Sequence, residues 1–120
     1  MILCAVDDLM FSTKISTAAR VLHCDVTFER TADTVLARVR AERPTLVIFD
    51  LNSAKLRPIE MIAAMKADAD LASVRTLGYV SHVQADVIAA ARAAGIDEVL
   101  ARSAFAERLG DILSGAATRA

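Results

Sequence analysis

Three aspartates in this 120-residue chain stand directly after apolar runs. Asp7 and Asp8 close Ile2 to Val6 (ILCAV), and Asp50 closes Thr45 to Phe49 (TLVIF). Ser81 follows a further run at Thr76 to Val80, and Arg102 follows Glu98 to Ala101. If each run is a strand and all point the same way, these polar side chains meet at one edge of a sheet. Singly, a strand-end Asp is commonly a helix cap or a turn former. Together, carboxylates at close range raise one another's pKa unless a cation neutralises them. A divalent metal is the simple remedy. Magnesium suits the site because it takes hard oxygen ligands, keeps several waters, and is usually held by one or two carboxylates plus phosphate oxygens. A carboxylate, a metal, a hydroxyl and a cation around one point can accept a phosphoryl group, with positioning and charge neutralisation supplying most of the catalysis. Asp50 is the expected acceptor.

The elements that must position these groups follow from the apolar periodicity. Short, continuous apolar runs such as ILCAV and TLVIF suit strands buried on both faces of a parallel sheet. Pro44 helps to end the helix before the second of them. Val26 to Phe28, Thr76 to Val80 and Glu98 to Ala101 are weaker strand candidates. Between the strands, apolar residues recur at helical spacing. They are Phe11, Ile15, Ala18, Ala19 and Leu22, then Val35, Leu36 and Val39, then Ile59, Ile62, Ala63 and Met65 after Pro58. Val87, Ile88 and Ala91 mark a fourth helix that Gly95 can terminate. Phe105, Leu109, Ile112 and Leu113 mark a fifth. Strands alternating with helices imply right-handed crossovers, a parallel sheet and helices on both faces. In such sheets ligands bind outside the carboxyl ends of the strands, where the winding reverses. The expected organisation is one domain over 1–113 and a short flexible tail over 114–120.

Composition narrows the function classes. Lys and Arg total 14 against 15 Asp and Glu, so the basic excess of a nucleic-acid binder is absent. No apolar run approaches the ~18 residues of a transmembrane helix. Without a basic stretch before ILCAV a secretory signal is not expected, and cytoplasm is the default compartment. Cys4 and Cys24 are expected as reduced, buried thiols, and with His23 and His82 they show no zinc spacing. No glycine-rich nucleotide loop is present, so no organic cofactor is expected. Arg38, Arg40 and Arg43 read as a solvated helix face.

Val6-Asp7-Asp8, the segment LVIFDLN that holds Asp50, GYVSH around Ser81, and VLARSAF around Arg102 together resemble the receiver domain of two-component response regulators, of the single-domain chemotaxis type. The resemblance runs to about Leu113. It implies a flavodoxin-like, doubly wound α/β fold with five parallel strands in the order 2-1-3-4-5 and five helices. Asp50 would be the phosphoacceptor, a phosphoprotein site in phosphorelay signal transduction. Asp8 would bind Mg2+ directly, Asp7 through water, and Asn52 through its backbone carbonyl, with Asp50 completing the metal site. The Ser81 hydroxyl would bond a phosphoryl oxygen, and Arg102 stands where the family keeps a lysine. The implied partners are a sensor histidine kinase or phosphotransfer protein and a downstream protein target. A homodimer through the fourth helix, fifth strand and fifth helix is a further expectation, suggested by the small Ala89, Ala90, Ala93 and Ala94. An enzyme with turnover on a small molecule is not expected.

The sequence departs from that pattern in several places. Arg102 offers a planar fork in place of an ammonium. Ser103 replaces the proline that would carry a cis peptide, Val99 replaces the switch aromatic, and Pro58 stands where a glycine is frequent. His82 adds an imidazole beside Ser81. Two function classes remain open. One is a stand-alone receiver phosphorylated on Asp50; the other is a degenerate receiver acting as an unphosphorylated interaction module.

Overall fold

The computed structural model describes residues 1–81 and 84–118. Its elements alternate strictly: β1 (Ile2–Ala5), α1 (Leu9–Leu22), β2 (Val26–Glu29), α2 (Ala32–Glu42), β3 (Leu46–Asp50), α3 (Pro58–Ala67), β4 (Arg75–Val80), α4 (Ala85–Ala94), β5 (Glu98–Ala101) and α5 (Arg102–Thr118). All strand pairings are parallel, as the alternation predicts, and the order is β2-β1-β3-β4-β5, as the resemblance implies. β1 therefore pairs with both β2 and β3, and the winding reverses beside it. The crevice between the carboxyl ends of β1 and β3 is where Asp7, Asp8 and Asp50 stand.

Two apolar layers hold the sheet, and strand pleating assigns the residues between them. Ile2, Cys4, Leu46, Ile48, Leu77 and Tyr79 face α1 and α5. Leu3, Ala5, Val47, Phe49 and Val80 face α2, α3 and α4. Cys4 is wholly buried, and burial pushes its thiol up to about 12, so it stays protonated and inert. Cys24 is only half-buried, because it lies at the turn into the edge strand β2.

Local chemistry sets the helix ends. Pro58 opens α3 after Arg57, which adopts a left-handed conformation. His23, Arg43 and Gly95 close α1, α2 and α4, also in left-handed conformations. Ala63 and Leu22, expected on buried faces, are exposed. In α3 the stripe turns so that Met61, Ile62 and Met65 enter the core, and α1 has passed the end of the sheet by Leu22. The expected boundary at Ser114 falls inside α5, which continues to Thr118 and buries Ala116 against the α1–α5 layer. Arg102, expected in a loop after β5, is the first residue of α5. His82 and Arg119 to Ala120 lie outside the described residues.

At the opposite end of the sheet Asp97 ties β4 to β5. Its Oδ2 accepts from the Thr76 N–H at 2.8 Å, from the Thr76 hydroxyl at 3.1 Å and from Lys66 Nζ at 3.1 Å. Its own N–H donates to the Thr76 Oγ1 at 3.0 Å. Desolvation works against the ionised carboxyl, but the Thr76 and Lys66 bonds outweigh it and hold Asp97 below the ordinary range. Gly78 is fixed by space rather than by torsion. A Cβ there would stand 2.7 Å from Leu51 Cγ and 2.9 Å from Ile96 Cδ1.

Two outcomes follow for stability. Asp97→Ala leaves the buried Thr76 N–H without its acceptor and should cost about 1–2 kcal/mol in denaturant melts. Because the folded carboxyl titrates below its unfolded value, this contribution is present above the unfolded pKa of about 3.9 and fades as pH falls through the folded one. The wild-type and Asp97→Ala curves should therefore converge in acid. Gly78→Ala should cost about 1–3 kcal/mol through overpacking against Leu51 and Ile96.

Candidate functional site

The carboxyl ends of β1 and β3 carry the acidic residues, and each one has a defined set of partners. Asp8 is the N-cap of α1. Its Oδ1 accepts from the backbone N–H of Met10 at 2.8 Å and of Phe11 at 3.4 Å, which satisfies donors the helix leaves open. Its Oδ2 pairs with the Arg102 guanidinium at 3.3 Å. Asp7 pairs with the exposed Lys55 at 3.7 Å. The Asp50 Oδ1 accepts from the Asn52 N–H at 3.0 Å.

Asp50 is buried at the end of the central strand. Desolvation dominates there and lifts its carboxyl above the ordinary value. The Asn52 N–H opposes the lift, Asp8 adds to it, Arg102 opposes it and Asp7 adds to it, in falling order. Asp50 thus feels both of the other carboxylates of the sequence reading across the crevice. They are not assembled as a ligand set: among the described residues no three His, Cys, Asp or Glu side chains stand close enough together to hold a metal ion. Their chemistry suits a hard divalent cation, but the arrangement does not, because the Arg102 guanidinium already stands at Asp8 Oδ2.

Arg102 reaches the site, though its ion pair is with Asp8 and not with Asp50. Its guanidinium also lies over the Phe11 ring, 4.4 Å from the centroid, and its Nη2 is 3.6 Å from Met10 Sδ. Phe11 in turn stacks on Tyr79 at 4.9 Å, and Tyr79 stacks on Phe105 at 4.7 Å. The Tyr79 hydroxyl is buried without a hydrogen-bond partner among the described residues. Burial first, then the nearby Asp50 and Asp8 charges, keep it protonated. Ser81 and Arg102 line one cleft together with Phe11, Lys14 and Ser103.

Asn52 contributes through its side chain, which the sequence reading missed. Its Oδ1 accepts from the Ser81 N–H, and its Nδ2 donates to the Gln84 Oε1 at 3.3 Å. The loop after β3 is thereby tied to the loop after β4 and to the start of α4. Lys55, Phe11 and Gln84 were also missed. An Asn two residues after a strand-end Asp was the only signal for the tie, and the partners of the other three depend on tertiary packing.

A doubly wound parallel sheet in the order β2-β1-β3-β4-β5 is the flavodoxin-like architecture. No protein-family profile matches the chain, and no curated protein matches it by sequence. Solved structures match it closely in shape. A response regulator from Hahella chejuensis superposes with a TM-score of 0.86 at 20% identity, covering 98% of this chain and 94% of that one. The Mn2+-bound form of the response regulator Rcp1 gives 0.83 at 18% identity, covering 99% and 95%. The phosphorylated cyanobacterial phytochrome response regulator RcpA gives 0.80 at 23% identity, covering 95% and 88%. The chain therefore has the receiver, or CheY-like, fold.

Burial of Asp50 has a measurable consequence. Its folded pKa lies above the unfolded one, so ionisation costs the folded state stability, which falls as pH rises from the unfolded pKa through the folded one. Asp50→Asn should therefore melt higher than wild type at pH 7, and the gain should vanish in acid, where wild-type Asp50 is protonated. A variant that melts lower at pH 7 would contradict this account.

Proposed function

We propose that this chain is a response regulator receiver that accepts a phosphoryl group on Asp50 and signals through protein–protein contacts. The observation that carries the reading is the placement of Asp50. It is a buried carboxylate at the end of the central strand, at the switch point, with one oxygen fixed by the Asn52 N–H. The donor is a sensor histidine kinase or phosphotransfer protein carrying phosphohistidine. An Asp50 oxygen attacks phosphorus, the O–P bond forms, and the N–P bond breaks with its electron pair passing to the imidazole nitrogen. In-line approach and charge neutralisation are the main demands of such a transfer.

The chain's own groups meet these demands in part. The Asn52 N–H orients the nucleophile and favours its ionised form. Arg102 bears a positive charge that Asp50 already feels, and it is the cation suited to the added phosphoryl oxygens. The Ser81 hydroxyl, in the cleft with Arg102, is the donor suited to another phosphoryl oxygen. Drawing Ser81 toward a phosphoryl group would pull on Asn52, which bonds both Ser81 and Gln84, and so on the start of α4, converting a local charge into a surface change. The surface formed by α4, β5 and α5 is the proposed output face, for a target protein or a second copy. Ala89 and Ala93 are exposed there. Val99, half-buried against the α2–α4 layer, offers no swinging aromatic. Among the described residues no helix is long and apolar enough to cross a membrane.

A second reading, an unphosphorylated interaction module, is favoured by one observation: the Arg102 guanidinium is committed to Asp8. Intact mass after exposure to acetyl phosphate separates the two. The receiver reading expects a hydroxylamine-labile increment of one phosphoryl group in wild type and none in Asp50→Asn. Folded wild type that takes no label under any divalent-cation concentration, with Arg102→Lys equally inert, would leave the interaction module.

A further inference from the structure

We propose that Arg102 is the resident cation of the carboxylate crevice and competes with divalent metal for Asp8, so that a metal ion enters only when the guanidinium leaves the Asp8 Oδ2. The proposal concerns occupancy of the crevice and holds whether or not Asp50 accepts a phosphoryl group.

Asp8 is the residue on which the competition turns. Its Oδ1 is held by the first turn of α1 and its Oδ2 faces the Arg102 guanidinium, so a metal ion approaching Oδ2 meets a positive charge already in place. The Asp7 pair is a lesser obstacle, because Lys55 is largely exposed and the contact is 3.7 Å. Lys55 and Arg102 set two positive charges against three carboxylates, which leaves the crevice near a charge of -1 instead of -3. A divalent ion gains correspondingly less by entering.

Arg102 is also seated on its outer side. Its guanidinium packs over the Phe11 ring and beside Met10 Sδ, and Phe11 is fixed from within by Tyr79 and Phe105. The planar guanidinium suits such a stacked seat, where an ammonium offers only a point charge. This seat opposes a cost, since a cation in the first turn of α5 is disfavoured by the helix dipole. The Asp8 pair and the aromatic seat offset that penalty and hold the side chain in the crevice. They also add a polar link to the Phe11–Phe105 contact that joins the start of α5 to the start of α1.

The test is a Mg2+ titration of the folded chain followed through backbone amide shifts around Asp7, Asp8 and Asp50. Wild type, R102Q, R102K and the double variant R102Q/D8N are compared. R102Q should bind Mg2+ at least about tenfold more tightly than wild type, the ratio set by losing one charge-assisted pair. R102K, which keeps the charge without the stacked seat, should fall between them. D8N should remove the R102Q gain, because Asn keeps the helix cap but not the charge. The proposal is overturned if R102Q binds no more tightly than wild type, if neither binds Mg2+, or if the gain survives D8N. Retained amide dispersion identifies the folded variants, and R102K preserves the test should R102Q fail to fold.

Discussion

A parallel sheet covered on both faces leaves its polar chemistry nowhere to go but the strand ends. β1 and β3 are buried along their whole lengths, and their side chains fill two apolar layers that admit no charge. Carboxylates must therefore sit one or two residues past the last apolar position. The β1/β3 switch point gathers Asp7, Asp8 and Asp50 there. The same constraint operates at the other end of the sheet, where Asp97, Lys66 and Thr76 satisfy one another at the starts of β4 and β5.

The two ends treat their carboxylates in opposite ways. Asp97 is surrounded by donors and titrates low, so its ionised form supports the fold. Asp50 is desolvated, with two other acids near it, and titrates high, so its ionised form burdens the fold. A carboxylate kept at a cost to stability is expected where chemistry is done, because structural selection alone favours the Asp97 solution. The contrast within one sheet supports a functional role for the crevice without reference to any other protein.

The crevice is connected to the rest of the molecule by two routes. One is polar and branches at the Asn52 amide, whose Oδ1 accepts from the Ser81 N–H and whose Nδ2 donates to Gln84 at the start of α4. The other is aromatic and runs from Arg102 through Phe11 to Tyr79 and Phe105, joining α1, β4 and α5. The first reports on the loops flanking Asp50, and the second on the pairing of Asp8. The crevice is thus in contact with helix starts on both faces of the sheet.

The strand order came from the resemblance of the motifs, and periodicity and punctuation alone were enough to specify the alternation, the parallel sheet and the gathering of Asp7, Asp8, Asp50, Ser81 and Arg102 at one edge. These features depend on which residues are apolar and how they are spaced, and that information is local. Element ends were less legible. α5 takes in Arg102 at its start and continues past Leu113, where Ala116 finds a buried place in the layer that α1 and α5 share with the sheet. The pairing inside the crevice was not legible at all. Three carboxylates without partners ask for a metal, and the sequence supplies no way to see that Arg102 and Asp8, 94 residues apart, would meet over the Phe11 ring. Only the packing of α5 against α1 brings that cation to that carboxylate, and so tertiary structure decided which charge balances the site.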